Sequence, residues 1–512
     1  MVGHGPTDFD RRIKDVLPPR KGWWNYWYLW RLNFALLASI LSQATGGYDG
    51  SLLNGLQSLP LWTGYFNHPA GANLGVLNSF AILFAGFLSD MFGCWLVIIG
   101  SIVGAASTNF NMFLGCRIIV GAGCGLQQVA SASLLSELSH PSQRVEVQTM
   151  FAPSYPLGGI VAAWVTYATY AYTTTWSWRL PLVLQAVFAA IQFICLLFCP
   201  ESPRWLIAKG RRQKAIDILV KHHANGDADS PLVELELAEI DSQIEADSLA
   251  KAYSWLEFFK TKGSRRRFYM MLFFPLARQF TGSNLISYFL PLVLNSVGIT
   301  NSKEQLILNG GVNICAFLFG ISAFLYVDYF GRRPVLIIPM ALCSASLVVW
   351  TILGAMMDHS TNVGLGYGIV AMVFWFQGWI HVFDAAAEPY IQEMSTFALR
   401  MKIVVMWQFG QQVVYYISSF ANPVAMPELG WRYIILYAVL TAVYALVMYI
   451  FFPETKGLSL EECVLVFDGE EGIERMRAAE LEFEQMRAAH GVNVAGSLEE
   501  KMDVEHVEKS SV

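Results

Sequence analysis

The sequence predicts an all-α, polytopic membrane protein whose twelve transmembrane helices form two related six-helix bundles. Three observations carry this. Of 512 residues, 54% are hydrophobic and 14% charged, whereas soluble domains carry about 25% charged residues. The apolar residues fall in runs of about 20, the length at which an α-helix crosses a ~30 Å hydrocarbon core. Short polar landmarks also recur in the same order in the two halves.

In chain order the apolar runs place spans near 32–55, 74–92, 95–108, 111–136, 148–171 and 180–199. A second six follow near 268–295, 307–327, 334–356, 364–391, 402–424 and 431–452. The third is short for a crossing. Before the first span lies a polar tail, residues 1–31, without the short apolar core and small-residue cleavage site of a signal peptide. Between the two sets lies segment 200–266, which reads as two soluble helical stretches, "WLIAKGRRQKAIDILVKHHA" and "PLVELELAEIDSQIEADSLAKAYSWLEFF". A cytosolic connector explains it, with a contribution to gating as the alternative. The expected organisation is therefore a tail (1–31), a first bundle (32–199), a linker (200–266), a second bundle (267–453) and a tail (454–512). In the last of these, mixed charges predict a solvated helix and a disordered end.

Charge placement sets the orientation. Arg11, Arg12, Lys14, Arg20 and Lys21 precede the first span, and the linker is rich in Lys and Arg, while 56–73 and 357–363 contain neither. The positive-inside rule then puts both termini and the linker in the cytosol. Seven of the eight cysteines fall within or at the edge of spans, with Cys463 beyond the last, so they form no disulfide framework. The net charge of −6 is spread over tails and loops and gives no support to nucleic-acid binding. No nucleophile, metal or cofactor constellation appears, which argues against an enzyme and calls for no cofactor.

Duplication narrows the class further. "LSDMFGCW" (88–95) follows the second span and "YVDYFGRRP" (326–334) the eighth. "ELSHPSQR" (137–144) follows the fourth and "EMSTFALR" (393–400) the tenth, each with Glu and Arg seven apart. "PESPRW" (200–205) closes the sixth and "PETKG" (453–457) the twelfth. Repeated bundles point to a secondary transporter with a central site between them. A single-chain channel or a membrane enzyme needs no such duplication. Within the first span, "SQATGGYDGSLLNGL" holds Asp49, a carboxylate at a depth where it is costly and calls for a functional reason.

At "GGYDG", the Gly-Arg-Arg loop, "PESPRW", "QFTGSN" (279–284) and "PETKG", the chain resembles the sugar porter family of the major facilitator superfamily. "GYDGSLLNGLQSLPLW", "YFNHPAG", "SYFLPLVLNSVGIT" and "GWRYIILY" look more narrowly like its fungal lactose-permease and hexose-transporter branch. The resemblance implies the family's fold, cytosolic termini in a plasma-membrane protein, and transport of a sugar by a monomer. In proton-coupled members the position of Asp49 carries the coupling proton and meets a fourth-span arginine, here Arg117. Asp49 lies about 24 Å into the first span and Arg117 about 9 Å into the oppositely directed fourth, at 1.5 Å per residue, so the two can meet. A guanidinium holds such a carboxylate ionised, and protonation would release it. A static structural pair is the alternative.

The resemblance also implies that Gln279 and Asn284 bond sugar hydroxyls, since amides offer donors and acceptors together. It places Tyr288 and Phe289 by the outer gate, with Gly282 permitting a bend. Asn422 joins the substrate-binding candidates. Span ten offers Phe374, Trp375, Phe376 and Trp379 for stacking, Trp379 foremost. Arg278 departs from the family, which has an amide there. It either pairs with Asp384 or Glu388, near His381 on one face of span ten, or recognises an anionic substrate. Asp90, Glu137, Arg144, Glu201, Arg204, Asp328, Arg332, Arg333, Glu393, Arg400 and Glu454 are the expected cytoplasmic gating network. Cys94 and Trp95 stand where that network usually has basic residues, which should tilt the protein towards its inward-facing state. A proton-driven sugar importer is the leading expectation. A carrier of a polyol, sugar acid or other metabolite, in either direction, and a non-transporting sugar receptor remain open.

Overall fold

In the computed structural model, residues 26–79, 90–252, 255–359, 363–394, 399–456 and 465–469 are described. Every regular element among them is helical. The first half contains α1 (Trp27–Ser58), α2 (Ala72–Ser79), α3 (Asp90–Ala105), α4 (Phe110–Leu138), α5 (Ser154–Thr169) and α6 (Trp176–Leu197). The linker supplies α7 (Arg212–His222) and α8 (Pro231–Ala252). The second half contains α9 (Lys262–Gln279), α10 (Ser283–Ser296), α11 (Ser302–Phe330), α12 (Arg332–Met357), α13 (Val363–Glu393), α14 (Arg400–Leu429) and α15 (Trp431–Phe451). The seventh span is thus broken into α9 and α10, and with it the architecture is the expected twelve-span one.

Local chemistry explains the boundaries. Asn109 caps α4 by accepting from the Met112 N–H at 2.8 Å, and Thr261 caps α9 by accepting from Ser264 at 2.9 Å. The seventh span breaks at Gly282, whose φ of +90° suits a residue without a Cβ. The first linker stretch breaks at Gly210, φ +74°, so it forms a short turn and then α7 rather than one helix. Six of the described helices are long and apolar enough on their own to span a bilayer. Others, such as α1 with Asp49 and Asn54, carry buried polar groups and cross with their polar sides turned inward.

Packing inside the first half is closest between α1 and α5. A Cβ on Gly47 would lie 1.8 Å from the Tyr155 carbonyl oxygen, and one on Gly158 would lie 1.8 Å from that of Ala44. The two glycines let the helix backbones touch at reciprocal points. α3 and α4 cross in the same manner at Gly93 and Gly123, where each Cβ would meet the other residue's carbonyl within 3 Å. Between the halves, α2 lies against α14 where Gly75 meets Ser419 and Phe420, and α5 lies against α11 where Gly159 meets Asn313. Most of the expected C-terminal helix lies outside the described residues. Its residue Asp468 accepts a charge-assisted bond from the buried Arg267 and one from Thr261 at 3.0 Å, tying the tail to α9.

Candidate functional site

A cavity of about 640 Å³ lies between the two halves, within the size range of small-molecule sites. Its wall takes residues from both, among them Asp49, Arg117, Gln128 and Tyr155 from the first and Arg278, Gln279, Asn284, Gln377 and Tyr415 from the second. Amides dominate the polar surface. It reaches towards the linker face through Gln148, Pro153, Gly320 and Arg332.

Asp49 and Arg117 form the pair that the sequence suggested. The guanidinium nitrogens Nη1 and Nη2 donate to Oδ1 and Oδ2 at 2.6 and 2.7 Å, and both side chains are buried. This is the fork-to-fork arrangement that makes arginine–carboxylate pairs strong and directional. Gln185 of α6 adds a third donor, Nε2 to Oδ1 at 2.6 Å, which the sequence reading missed. The sequence shows two amides in this span, Gln185 and Gln192, and only the full burial of Gln185 shows that it needs a partner.

In the second half Gln279 and Asn284 both face the cavity, joined by a 2.9 Å bond across the break at Gly282. Asn284 also donates to Ser418 at 2.7 Å, and Gln279 to Gln411 at 3.1 Å. Also in the wall, Oε1 of Gln377 and of Gln412 are buried without a hydrogen-bond partner among the described residues. Such acceptors suit a ligand rich in hydroxyl donors. Arg278 pairs through Nε with Asp384 and donates from Nη1 to Ser283 at 3.1 Å. His381 donates from Nδ1 to the Gln377 carbonyl at 2.8 Å. Of the readings of Arg278, which also include a place at the lipid–water edge, internal pairing with Asp384 is the one seen. The side chain of Glu388 lies outside the described residues.

Several sequence expectations are corrected. Phe289 is fully buried in the apolar core, at a helix kink with φ −133°, and only Tyr288 of the two reaches the cavity. Trp379 packs on Phe319 and Trp375, ring centroids 5.7 and 5.9 Å away, outside the cavity wall. Phe376 is core and Trp375 is exposed on the outer surface. The aromatic part of the wall is instead Tyr155, Tyr288, Trp407 and Tyr415, with the Tyr155 and Tyr288 hydroxyls 3.1 Å apart. Asn422 is sealed off, its Oδ1 accepting from the hydroxyls of Tyr433 and Tyr437. An apolar helix gives little periodicity from which to tell its lipid face from its cavity face, and this is why the aromatic assignments failed.

Among the described residues, the expected gating residues meet the following partners in this conformation. Asp90 is buried and accepts from Ser131 at 2.7 Å, with no cation against it among the described residues. Glu137 accepts from Ser202 at the start of the linker. Arg144 pairs with Glu239 of α8 at 3.6 Å, and Arg204 donates to Gln243 at 3.3 Å. Glu454 accepts from the backbone N–H groups of Arg332 and Arg333 at 2.9 and 3.1 Å, placing a carboxylate at the positive end of α12. The Arg332 side chain lies in the cavity wall, while Arg333 donates to the Tyr449 carbonyl at 2.6 Å. Glu201 lines a groove at the membrane edge. The side chains of Asp328, Glu393 and Arg400 lie outside the described residues.

On the face away from the linker the halves are joined through a repaired helix. Pro291 has no N–H to give the Ser287 carbonyl, and the kink at Phe289 frees the Leu290 N–H. Asn54 of α1 supplies both missing partners: Nδ2 donates to Ser287 O at 2.8 Å, and Oδ1 accepts from Leu290 N–H at 3.1 Å. Gln57 donates to the Tyr288 carbonyl at 3.0 Å. Beside them, Asn309 of α11 donates to Ser51 Oγ at 3.1 Å.

Comparison with known proteins settles the family. The profile described as "Sugar (and other) transporter" matches residues 76–467. The chain belongs to this sugar transporter family. It is 30% identical over 411 residues to the low-affinity glucose transporter HXT4 of Saccharomyces cerevisiae (strain JAY291), covering 75% of this chain and 69% of that relative. Among solved structures, the inward-open conformation of the xylose transporter XylE from E. coli superposes with a TM-score of 0.67 at 19% identity, covering 85% of this chain and all of that one. The proton:xylose symporter XylE bound to 6-bromo-6-deoxy-D-glucose gives the same TM-score at 20% identity, covering 85% of this chain and 99% of that one. The fold of this sugar transporter family member is thus that of the major facilitator superfamily, and the protein is a multi-pass membrane protein.

Proposed function

We propose that this protein is a proton-coupled symporter that imports a neutral mono- or disaccharide across the plasma membrane, as a monomer with both termini in the cytosol. The two halves, 32–199 and 267–453, rock as bodies about the central cavity. The observation that carries the coupling is the buried Asp49–Arg117 contact, completed by Gln185, in the wall of that cavity. Protonation of Asp49 cancels the charge that holds Arg117, so proton binding is linked to rearrangement at the site. The conformation, sealed by Asn54 on one face and reaching towards the linker on the other, fits the inward-facing stage of such a cycle.

A neutral substrate is favoured because Asp384 already neutralises the Arg278 cation. The amides and the four aromatic side chains of the wall suit hydroxyls and the faces of a sugar ring. The glucose transporter of yeast named above supports a hexose as the first substrate to try. Uptake into proteoliposomes across a panel of hexoses, pentoses, disaccharides, polyols and sugar acids, with and without an inward proton gradient, tests the reading. Gradient-dependent accumulation of a neutral sugar is expected. Uptake that ignores the gradient removes the coupling, and preference for an acid removes the substrate class. Binding without flux would make the protein a receptor.

A further inference from the structure

A second cavity, about 820 Å³, lies away from the central one, between the linker and the outer surface of the first half. One wall is the first two turns of α1, where Trp27, Trp30, Arg31, Phe34 and Ala35 follow the i, i+3, i+4, i+7, i+8 spacing of a single helix face. The facing wall is α7, where Lys214, Asp217, Ile218, Lys221 and His222 follow the same spacing. The end of the sixth span, Phe198 to Glu201, makes the floor. Trp27 is 75% and Phe198 71% exposed, as side chains facing lipid rather than core would be.

The groove is graded in chemistry. From Trp27 to Phe34 the helix rises about 10 Å, and along that rise the wall is aromatic, with Arg31 set between Trp30 and Phe34. Towards the linker it is basic. Among the described residues, none of Arg31, Lys214 and Lys221 has an ion-pair partner; two carboxylates share the lining, Glu201 and Asp217, the latter accepting from Gln213 at 3.2 Å, so cations exceed acids by one. His222 reports the local field: burial, then Lys221, His223 and Arg31, push its imidazole down to about 4. An aromatic slot opening into a cluster of unpaired cations at the membrane surface is complementary to one chemistry, an apolar chain ending in a phosphate.

We propose that this groove binds one anionic phospholipid from the leaflet on the linker's side, its phosphate held by Arg31, Lys214 and Lys221 and its acyl chain laid along Trp30, Phe34 and Phe198. Occupancy would clamp α7 to the base of α1 and so fix the linker against the first half. Charge complementarity selects the occupant, because a zwitterionic headgroup would bring its own cation into a site where cations already exceed carboxylates.

The purified full-length protein, titrated with phosphatidylglycerol or phosphatidylcholine of identical acyl chains and read by native mass spectrometry, tests this. We expect one retained phosphatidylglycerol, favoured about tenfold over phosphatidylcholine, with the preference collapsing at high salt. Arg31→Gln/Lys214→Gln/Lys221→Gln should lose the preference, whereas Arg432→Gln, an exposed cation remote from the groove, should keep it. Equal retention of both lipids by the unaltered protein overturns the proposal without recourse to any variant. Displacement of the lipid by millimolar inorganic phosphate would also overturn it, since the site would then read phosphate alone.

Discussion

Asn54 and Leu290, 236 positions apart, share a hydrogen bond of 3.1 Å that belongs, in an unbroken helix, to the backbone of α10 alone. With its 2.8 Å bond to the Ser287 carbonyl, Asn54 lends one half of the protein the rungs that the other half lacks. A buried donor or acceptor left without a partner costs about 1–3 kcal/mol, so Asn54 adds to the closure that Gln57 and Asn309 also support. Asn54→Leu should therefore favour opening there. The check is the rate at which an impermeant thiol reagent, added from that face, labels a cysteine introduced at Ser287. A rise of about fivefold is expected, corresponding to about 1 kcal/mol, and an unchanged rate would show the seal rests elsewhere.

Asp49→Asn should abolish accumulation against a sugar gradient while leaving exchange down a gradient intact, because the side chain keeps its volume but no longer carries a charge that a proton can cancel. Arg117→Met should be worse for stability, by about 3–5 kcal/mol, since it strands a buried carboxylate. Adding Asp49→Asn to Arg117→Met should recover a good part of that loss. Uptake assays and denaturant titrations of the purified variants distinguish the two effects. Persistence of concentrative uptake in Asp49→Asn would refute the coupling role.

The pair Arg278–Asp384 makes a different prediction, because it is read as internal neutralisation and not as substrate recognition. Either Arg278→Gln or Asp384→Asn alone should lower uptake by an order of magnitude or more, through an unpaired charge in the wall. Combining them should restore transport of a neutral sugar to within a few fold. If the double variant remains as inactive as Arg278→Gln, the guanidinium itself contacts the substrate.

Acid should destabilise the junction between α4 and the linker. His140, beyond the end of α4, is buried and accepts at Nδ1 from the Ser142 N–H at 3.2 Å, as a neutral ring does. Burial first, and then His223, its ring centroid 5.3 Å away, push its imidazole down to about 3. His223 in turn has acceptors at both ring nitrogens, Glu236 at 2.8 Å and the Leu138 carbonyl at 3.2 Å. A folded-state value below the unfolded 6.5 means that stability is complete above about pH 6.5 and lost as the pH falls towards 3. At pH 5 the loss is about 2 kcal/mol. Thermal unfolding at pH 7.5 and pH 5 should show a smaller acid-induced drop for His140→Gln than for the unaltered protein.

What could be read from the sequence follows from what stands out against an apolar background. Charges do, so Asp49, Arg117 and Arg278 were recognisable, and so were the spans and the repeated loop motifs. Gln279 and Asn284 were legible through a motif flanking a glycine that breaks the helix. Asn54 was not, because its task is created by Pro291 in the other half and exists only once the halves meet. Gln185 was hidden for the opposite reason: it shares an apolar helix with a second amide, Gln192, and either looks incidental until depth and facing are known. Trp379 and Asn422 were misplaced because helix facing within a membrane is set by the helices packed around it, which the local sequence does not show. Asp90 was expected among cations, and in this conformation a hydroxyl serves it instead.

The reciprocal contacts of Gly47 and Gly158 carry a consequence for how such a chain can vary. Each occupies the only space the other helix's carbonyl leaves, so neither position admits even one methyl group unless both helices shift together. Wall amides such as Gln377 and Gln412 leave an oxygen without a partner among the described residues and can be exchanged to suit another sugar. Variation should therefore be cheap where the cargo is chosen and nearly forbidden where α1 meets α5. A lineage descending from this protein would change its diet long before it changed that crossing.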